Sequence, residues 1–199
     1  MLRLELLPAA HGDALWIEYG DPRAPRRIVI DGGPAPTYQQ GLRRRILAMP
    51  KGDRRIDLLV VTHIDADHID GAILLLQEEE RTRLGVQIGE IWFNGWRQLD
   101  KLGPESFQPL QGEFLGGLIT VDPAFDRAWN RSFGGGAVQV PESGELPVVE
   151  LPGGARLTLL SPTPRELRRL RARWSSAIRD FSPGDVEEAL RRLRERREY

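Results

Sequence analysis

The chain has 199 residues, 40% hydrophobic and 29% charged, with a net charge of −1 from 28 basic and 29 acidic side chains. These values fit one domain with a sizeable core and create no global demand for a nucleic-acid or membrane partner. The absence of cysteine excludes disulfides and thiolate metal sites, leaving imidazole and oxygen as the strong ligands.

The first third reads as strands. Leu2, Leu4 and Leu6 alternate with Arg3 and Glu5, the period-2 pattern of a half-buried strand. Its charges interrupt the N-terminus too early for a signal-peptide core, and no apolar run reaches membrane-spanning length. The expected location is the cytoplasm, with no membrane partner. Residues 14–19 and 27–30 form two more predicted strands, separated by a Gly/Pro turn and stopped by Asp31-Gly32-Gly33-Pro34. A helix is predicted over 37–49 with Leu42, Ile46 and Leu47 inward, then a buried strand over 56–61. A helix over 69–80 and a strand over 89–93 follow. Strands first, then β-α-β-α-β, point to a layered α/β fold.

Residues 100–145 carry weak periodicity and two glycine clusters, which predicts a long loop or an insertion with short helices. A hairpin is predicted from 148–151 and 155–160 around Pro152-Gly153-Gly154. Pro162 and Pro164 then open a helix with Leu167, Leu170, Trp174 and Ile178 on one face. Ser182-Pro183 opens a last one striped by Val186, Ala189, Leu190 and Leu193. Residues 165–199 hold eleven arginines against seven acids. The run from Arg165 to Arg173 reads as a solvated helix face or as a phosphate-binding strip that would take nucleic acid.

The chemistry concentrates in Thr62-His63-Ile64-Asp65-Ala66-Asp67-His68-Ile69-Asp70-Gly71, directly after the 56–61 strand. His63 and His68 are five apart and cannot share a helix face, so they converge only where a strand turns into a helix. Imidazole and carboxylate together suit Zn²⁺, Mn²⁺ or Fe²⁺. The alternative is a capped helix start with Asp65 or Asp67 as N-cap, which uses one acid and leaves the histidines unexplained. Asp70 is either a partner for a ligating histidine or a first-turn acid. Asp31, before Gly32-Gly33, reads as a turn residue. His11, in a tight loop with Gly12 and Asp13, reads as a surface residue. Asn94-Gly95-Trp96 is placed to line a pocket, and Trp92, Trp96 and Trp129 read as core or lid residues.

The ten-residue run resembles the metallo-β-lactamase superfamily signature His-x-His-x-Asp-His, with Asp65 at the place of the second histidine. His-x-Asp-x-Asp-His is similar to the variant in the metallo-β-lactamase-like domain of the bacterial competence DNA-uptake channel and its soluble relatives. His11-Gly12-Asp13-Ala14 resembles the early Gln-Gly-Asp-Ala loop of that branch, and Ile30-Asp31-Gly32-Gly33 the strand-end Asp-x-Gly motif. The resemblance implies an αββα layered fold, with residues 1–161 as its N-terminal half (insertion about 95–145) and 162–199 as a C-terminal helical segment. It implies His63 and Asp65 as ligands of one metal and Asp67 and His68 as ligands of a second. Asp67 would also be the catalytic residue that orients the attacking water. Asp31, Asp13, His11 and Asp70 would support the metal or substrate. The implied activity is hydrolysis of an ester, amide, thioester or phosphodiester with one or two divalent ions, Zn²⁺ or Mn²⁺; Asp65 in place of histidine hardens the site towards Mn²⁺ or Mg²⁺. The downstream half of the family pattern, with its further histidines, has no counterpart after His68. The expectation is therefore a fragment, or a half-domain completed by a second copy or a complementary chain. Its open apolar sheet face would be covered by the C-terminal helices or by that partner.

Overall fold

A computed structural model describes residues 1–99, 110–177 and 182–196. Strands β1 (Leu2–Leu6), β2 (Leu15–Tyr19), β3 (Arg26–Ile30), β5 (Leu58–Val60) and β7 (Ile91–Trp92) form the main sheet in the order β1-β2-β3-β5-β7. The first three are antiparallel neighbours in sequence order; β3, β5 and β7 run parallel. Parallel neighbours need crossovers. Helix α1 (Leu42–Leu47) lies between β3 and β5, and α2 (Ala66–Thr82) between β5 and β7. The carboxyl ends of β3, β5 and β7 therefore share one rim, where ligand sites of open α/β sheets collect.

The strand predicted over 56–61 is two strands. β4 (Arg55–Ile56) pairs with β6 (Gln87–Ile88) in a separate ribbon, and the chain breaks at Asp57 before β5. Buried Asp57 accepts from the Arg27 backbone N–H (3.0 Å) and from the Arg26 (2.8 Å) and Arg55 (3.0 Å) guanidiniums. These bonds satisfy a charge that a continuous core strand would leave unpaired. The helix predicted over 37–49 is a 3₁₀ turn at Ala35–Thr37 followed by α1 alone. Leu42 and Ile46 are inward as predicted, whereas Leu47 is exposed. Over its described part the stretch 100–145 is an insertion with helices rather than a long loop. α4 (Leu110–Val121) and α5 (Pro123–Ala128) follow α3 (Trp96–Leu99), and Asp122 caps α5 by accepting from the Ala124 and Phe125 N–H groups. α4 buries Phe114, Leu115, Leu118 and Ile119 between α2 and α7 (Val186–Glu195). A helix enclosed on several sides has no polar stripe to betray it. Residues 100–109 of that stretch lie outside the described residues.

The hairpin stands as β8 (Val148–Glu150) and β9 (Arg156–Thr158). Both C-terminal helices stand too, as α6 (Pro164–Ala177) and α7, with Leu167, Ala189, Leu190 and Leu193 buried. The side chains predicted for Trp174 and Ile178 fall outside the described residues. Two apolar clusters result. The larger joins Trp16, Val29 and Leu59 from one sheet face to α1, α2, α4 and α7. The smaller lies on the other face, where Tyr19, Ile28, Leu58 and Trp92 meet Val138, Val140, Leu151 and Leu159. Among the described residues, no side chain of the C-terminal helices joins that second cluster; the hairpin and the strap around Val138 cover part of the face. The β1 leucines are the plainest correction. Leu2, Leu4 and Leu6 are 79%, 59% and 72% exposed, on the uncovered side, while Glu5 faces α1 and bonds Arg45 at 3.2 Å. No helix among the described residues is long and apolar enough to cross a membrane.

Candidate metal centre

Two glycines lock the start of α2 onto the end of β3. The Gly32 N–H donates to the His68 carbonyl (2.8 Å), and the Gly71 N–H donates to the Gly33 carbonyl (2.9 Å). A Cβ on Gly32 would overlap the backbone of Gly71 and Ala72, and one on Gly71 would overlap the Gly32 carbonyl. The chain also turns into a left-handed residue at Asp31 (φ 57°), a conformation aspartate tolerates better than most side chains. This close approach places the buried Asp31 carboxylate beneath His68.

Asp31 then organises the site. Its Oδ1 accepts from the Thr62 backbone N–H at 2.8 Å, and its Oδ2 accepts from the Thr62 hydroxyl at 2.6 Å. Nδ1 of His68 lies 3.1 Å from the same Oδ2. The Thr62 hydroxyl oxygen is also 2.9 Å from Nδ1 of His63. Since the hydroxyl proton is committed to Asp31, that oxygen is an acceptor, and Nδ1 of His63 is the donor. An ionised Asp31 likewise accepts from His68 Nδ1–H. One buried carboxylate thus sets both imidazoles in the same tautomer, directly for His68 and through Thr62 for His63. The Nε2 lone pairs are left facing away from it.

Each Nε2 faces an acid. Nε2 of His63 is 3.6 Å from Asp65 Oδ2, and Nε2 of His68 is 3.6 Å from Asp67 Oδ2. The two ring centroids are 3.8 Å apart. Ligand atoms held by one tetrahedral ion at about 2.0–2.2 Å are separated by about 3.3–3.6 Å, so the His63–Asp65 pair and the His68–Asp67 pair each have the spacing of two donors to a small divalent ion. The capping alternative fares worse. Asp65 occupies the N-cap position of α2, yet its side chain makes no capping hydrogen bond. An oxygen of Asp31 and one nitrogen of each histidine also lie within 4.8 Å of one another; both Asp31 oxygens, however, already accept hydrogen bonds.

The remaining sequence candidates fall around this centre. The 11–14 loop packs on it so tightly that a Cβ on Gly12 would strike the Asp67 backbone. Asp13 approaches His68 Nδ1 at 3.9 Å with a largely exposed side chain, and His11 is exposed at the loop tip. Asp70 is buried two residues beyond His68 on α2. Thr62 was not singled out from the sequence; the signal was a hydroxyl directly before the first histidine at a strand end. A second residue outside the sequence candidates is Glu166. It faces a cavity of about 250 Å³ lined by Thr62, His63, Asn94, Pro162 and Leu167 among others. Hydrogen bonds from the Thr163 backbone and hydroxyl hold its carboxyl below the ordinary carboxylate range. Trp92 and Trp129 are core residues.

No curated protein and no solved structure matches the chain significantly. A family model does: that of the metallo-beta-lactamase superfamily matches residues 16–197. It spans the strand-end aspartate, the His/Asp run and the helices behind them, and the chain belongs to this superfamily, whose members are generally divalent-metal-dependent hydrolases.

Proposed function

We propose that this chain is a metal-dependent hydrolase of the competence-channel-like branch, acting on an ester or phosphodiester. The observation that carries the reading is the Asp31–Thr62 device, which turns Nε2 of both histidines towards Asp65 and Asp67. His63, Asp65, Asp67 and His68 would hold the ion. Asp31 would hold the histidines, because Thr62 and His68 already engage three of its four acceptor sites. A bound divalent ion supplies Lewis acidity for the scissile group and for water at neutral pH. The chain's own contribution is orientation. The Asp67 carboxylate, half-buried beside His68, accepts a hydrogen bond from the attacking water and aligns it. The cavity beside His63 admits the reacting group, with Pro162, Leu167 and Leu170 excluding bulk solvent from one side. Asp65 in place of imidazole favours Mn²⁺ or Mg²⁺ over Zn²⁺. The branch assignment rests on Asp65 and on the His11-Gly12-Asp13-Ala14 loop seated against Asp67.

The test is metal content, together with hydrolysis of bis(p-nitrophenyl) phosphate and p-nitrophenyl esters, for the wild type and for Asp67→Ala. Metal-dependent turnover that falls at least about a hundredfold in the variant supports the reading. Equal rates, or no retained metal at millimolar Mn²⁺, overturn it. A second reading is a catalytically incomplete half-domain completed by another chain. The exposed leucine face of β1 favours it, as do the two imidazoles at the described site.

A further inference from the structure

β1 is an edge strand. Its inner side pairs with β2, and among the described residues no strand pairs with its outer side. Which residues aim outward follows from the ladder. Met1 and Gly20 exchange both backbone hydrogen bonds (2.7 and 3.1 Å), and the Leu7 N–H donates to the Ala14 carbonyl at 2.9 Å. The antiparallel register runs without interruption from Leu2↔Tyr19 to Leu6↔Leu15. Antiparallel ladders alternate, so the odd-numbered residues bond β2, and the N–H and C=O groups of Leu2, Leu4 and Leu6 point to the open edge. The next outward position is Pro8, which has no N–H. The free row is therefore short, three residues long and centred on Leu4.

That row is self-complementary. Turned about a two-fold axis through Leu4, the segment Leu2-Arg3-Leu4-Glu5-Leu6 meets a second copy with Leu2 opposite Leu6, Leu4 opposite Leu4 and Arg3 opposite Glu5. The three leucine pairs are the hydrogen-bonded ones, each exchanging two backbone bonds. The Arg3–Glu5 pairs are the non-hydrogen-bonded ones, where opposed side chains come closest. Charges lie on the α1 side and leucines on the other, so neither face sets a charge against an apolar residue. Arg3 and Glu5 already attract within one chain at 3.2 Å, and the partner's charges would extend that alternation across the axis. Edge strands are commonly blunted by lysine, a bulge or a covering loop. This one has no lysine and no bulge within Leu2–Leu6, and its three leucines are 59–79% exposed.

We propose that the occupant of this edge is a second copy of the chain, paired antiparallel through β1 to make one continuous ten-stranded sheet. The contact is isologous and closes on itself, giving a dimer rather than a fibre. It leaves both metal centres at the far rims of the parallel strands. The proposal is independent of hydrolysis.

Sedimentation velocity of the full chain over micromolar to hundred-micromolar concentrations tests it. The wild type is expected to dimerise. Leu4→Pro removes only an outward-facing N–H, so it is expected to keep the wild-type circular dichroism spectrum and sediment as a monomer. Arg3→Glu and Glu5→Arg each set like charges opposite one another and are expected to weaken self-association about tenfold. Mixed one to one, they face opposite charges again and are expected to associate as a heterodimer. A monomeric wild type at the highest concentration overturns the proposal. So does a folded Leu4→Pro variant that still dimerises, since that contact would use another surface. If Glu5→Arg unfolds because it faces Arg45, Leu4→Pro and Arg3→Glu decide the matter alone.

Discussion

Replacing Asp31 with asparagine changes the chemistry of the site while keeping its shape. Asparagine tolerates the left-handed backbone at this position (φ 57°). The Thr62 backbone N–H can only donate, so the amide oxygen must take the place of Oδ1 (2.8 Å). The amide NH₂ then falls where Oδ2 accepted from the Thr62 hydroxyl and from His68 Nδ1. As a donor it forces His68 Nδ1 to accept, which moves the imidazole proton to Nε2 and removes the lone pair facing Asp67. The Thr62 hydroxyl, no longer bound to a carboxylate, turns its proton towards His63 Nδ1 (2.9 Å) with the same result. Loss of such an orienting carboxylate lowers metal affinity about 10- to 100-fold, or about 1.4–2.8 kcal/mol. The metal-free protein also loses charge-assisted hydrogen bonds, each worth about 1.5–3 kcal/mol net. Competition against a chromophoric chelator gives the affinity, and urea melts give the stability. Thr62→Val cuts only the His63 leg and is expected to fall between wild type and Asp31→Asn. Wild-type affinity in a folded Asp31→Asn protein would refute the reasoning.

Three further outcomes follow from packing and charge. Gly71→Ala drives a Cβ into the Gly32 carbonyl and is expected to destabilise by about 3 kcal/mol or more in denaturant melts; Gly52→Ala, with nothing within 4 Å, is expected to be neutral or better. Phe114→Ala empties a fully buried position on α4 at a cost of about 3–5 kcal/mol, and a value below about 1 kcal/mol would deny α4 its place in the core. Hydrogen bonds from Arg191 and Arg192 hold the Glu188 carboxyl at about 2, below its ordinary 4.5. A depressed folded pKa contributes stability above the unfolded value that is lost as pH falls through the folded one. Thermal melts are therefore expected to weaken from pH 4.5 towards 2, with a shallower slope in Glu188→Gln.

Legibility in the sequence followed how local each signal was. The His/Asp run, the strand-end Asp31 and the α2 stripe of Ile69, Ala72, Ile73 and Leu76 could all be read directly. Each is a short motif or a clean period. The leucines of β1 had the right period and the wrong face, because alternation fixes which residues share a side but not which side is covered. Helices were one of two readings of 100–145, but α4 could not be located because Gly112, Gly116 and Gly117 depress helix propensity and burial on several sides erases its polar face. Asp57 was hidden inside an apolar run, where only its three hydrogen bonds across the sheet rim reveal a break. Thr62 was invisible for a related reason: its role depends on Asp31, thirty-one residues away and adjacent only after β3 and β5 pair.

The central claim is that Asp31 presents Nε2 of both histidines to a divalent ion. Long-range ¹H–¹⁵N spectra of His63 and His68, recorded through a Zn²⁺ titration of the wild-type chain, test it most directly. The expected result is the Nδ1–H tautomer for both rings in the metal-free protein, followed by a saturable shift of both Nε2 signals. Nε2-protonated rings, or Nε2 signals unmoved at millimolar metal, would contradict it.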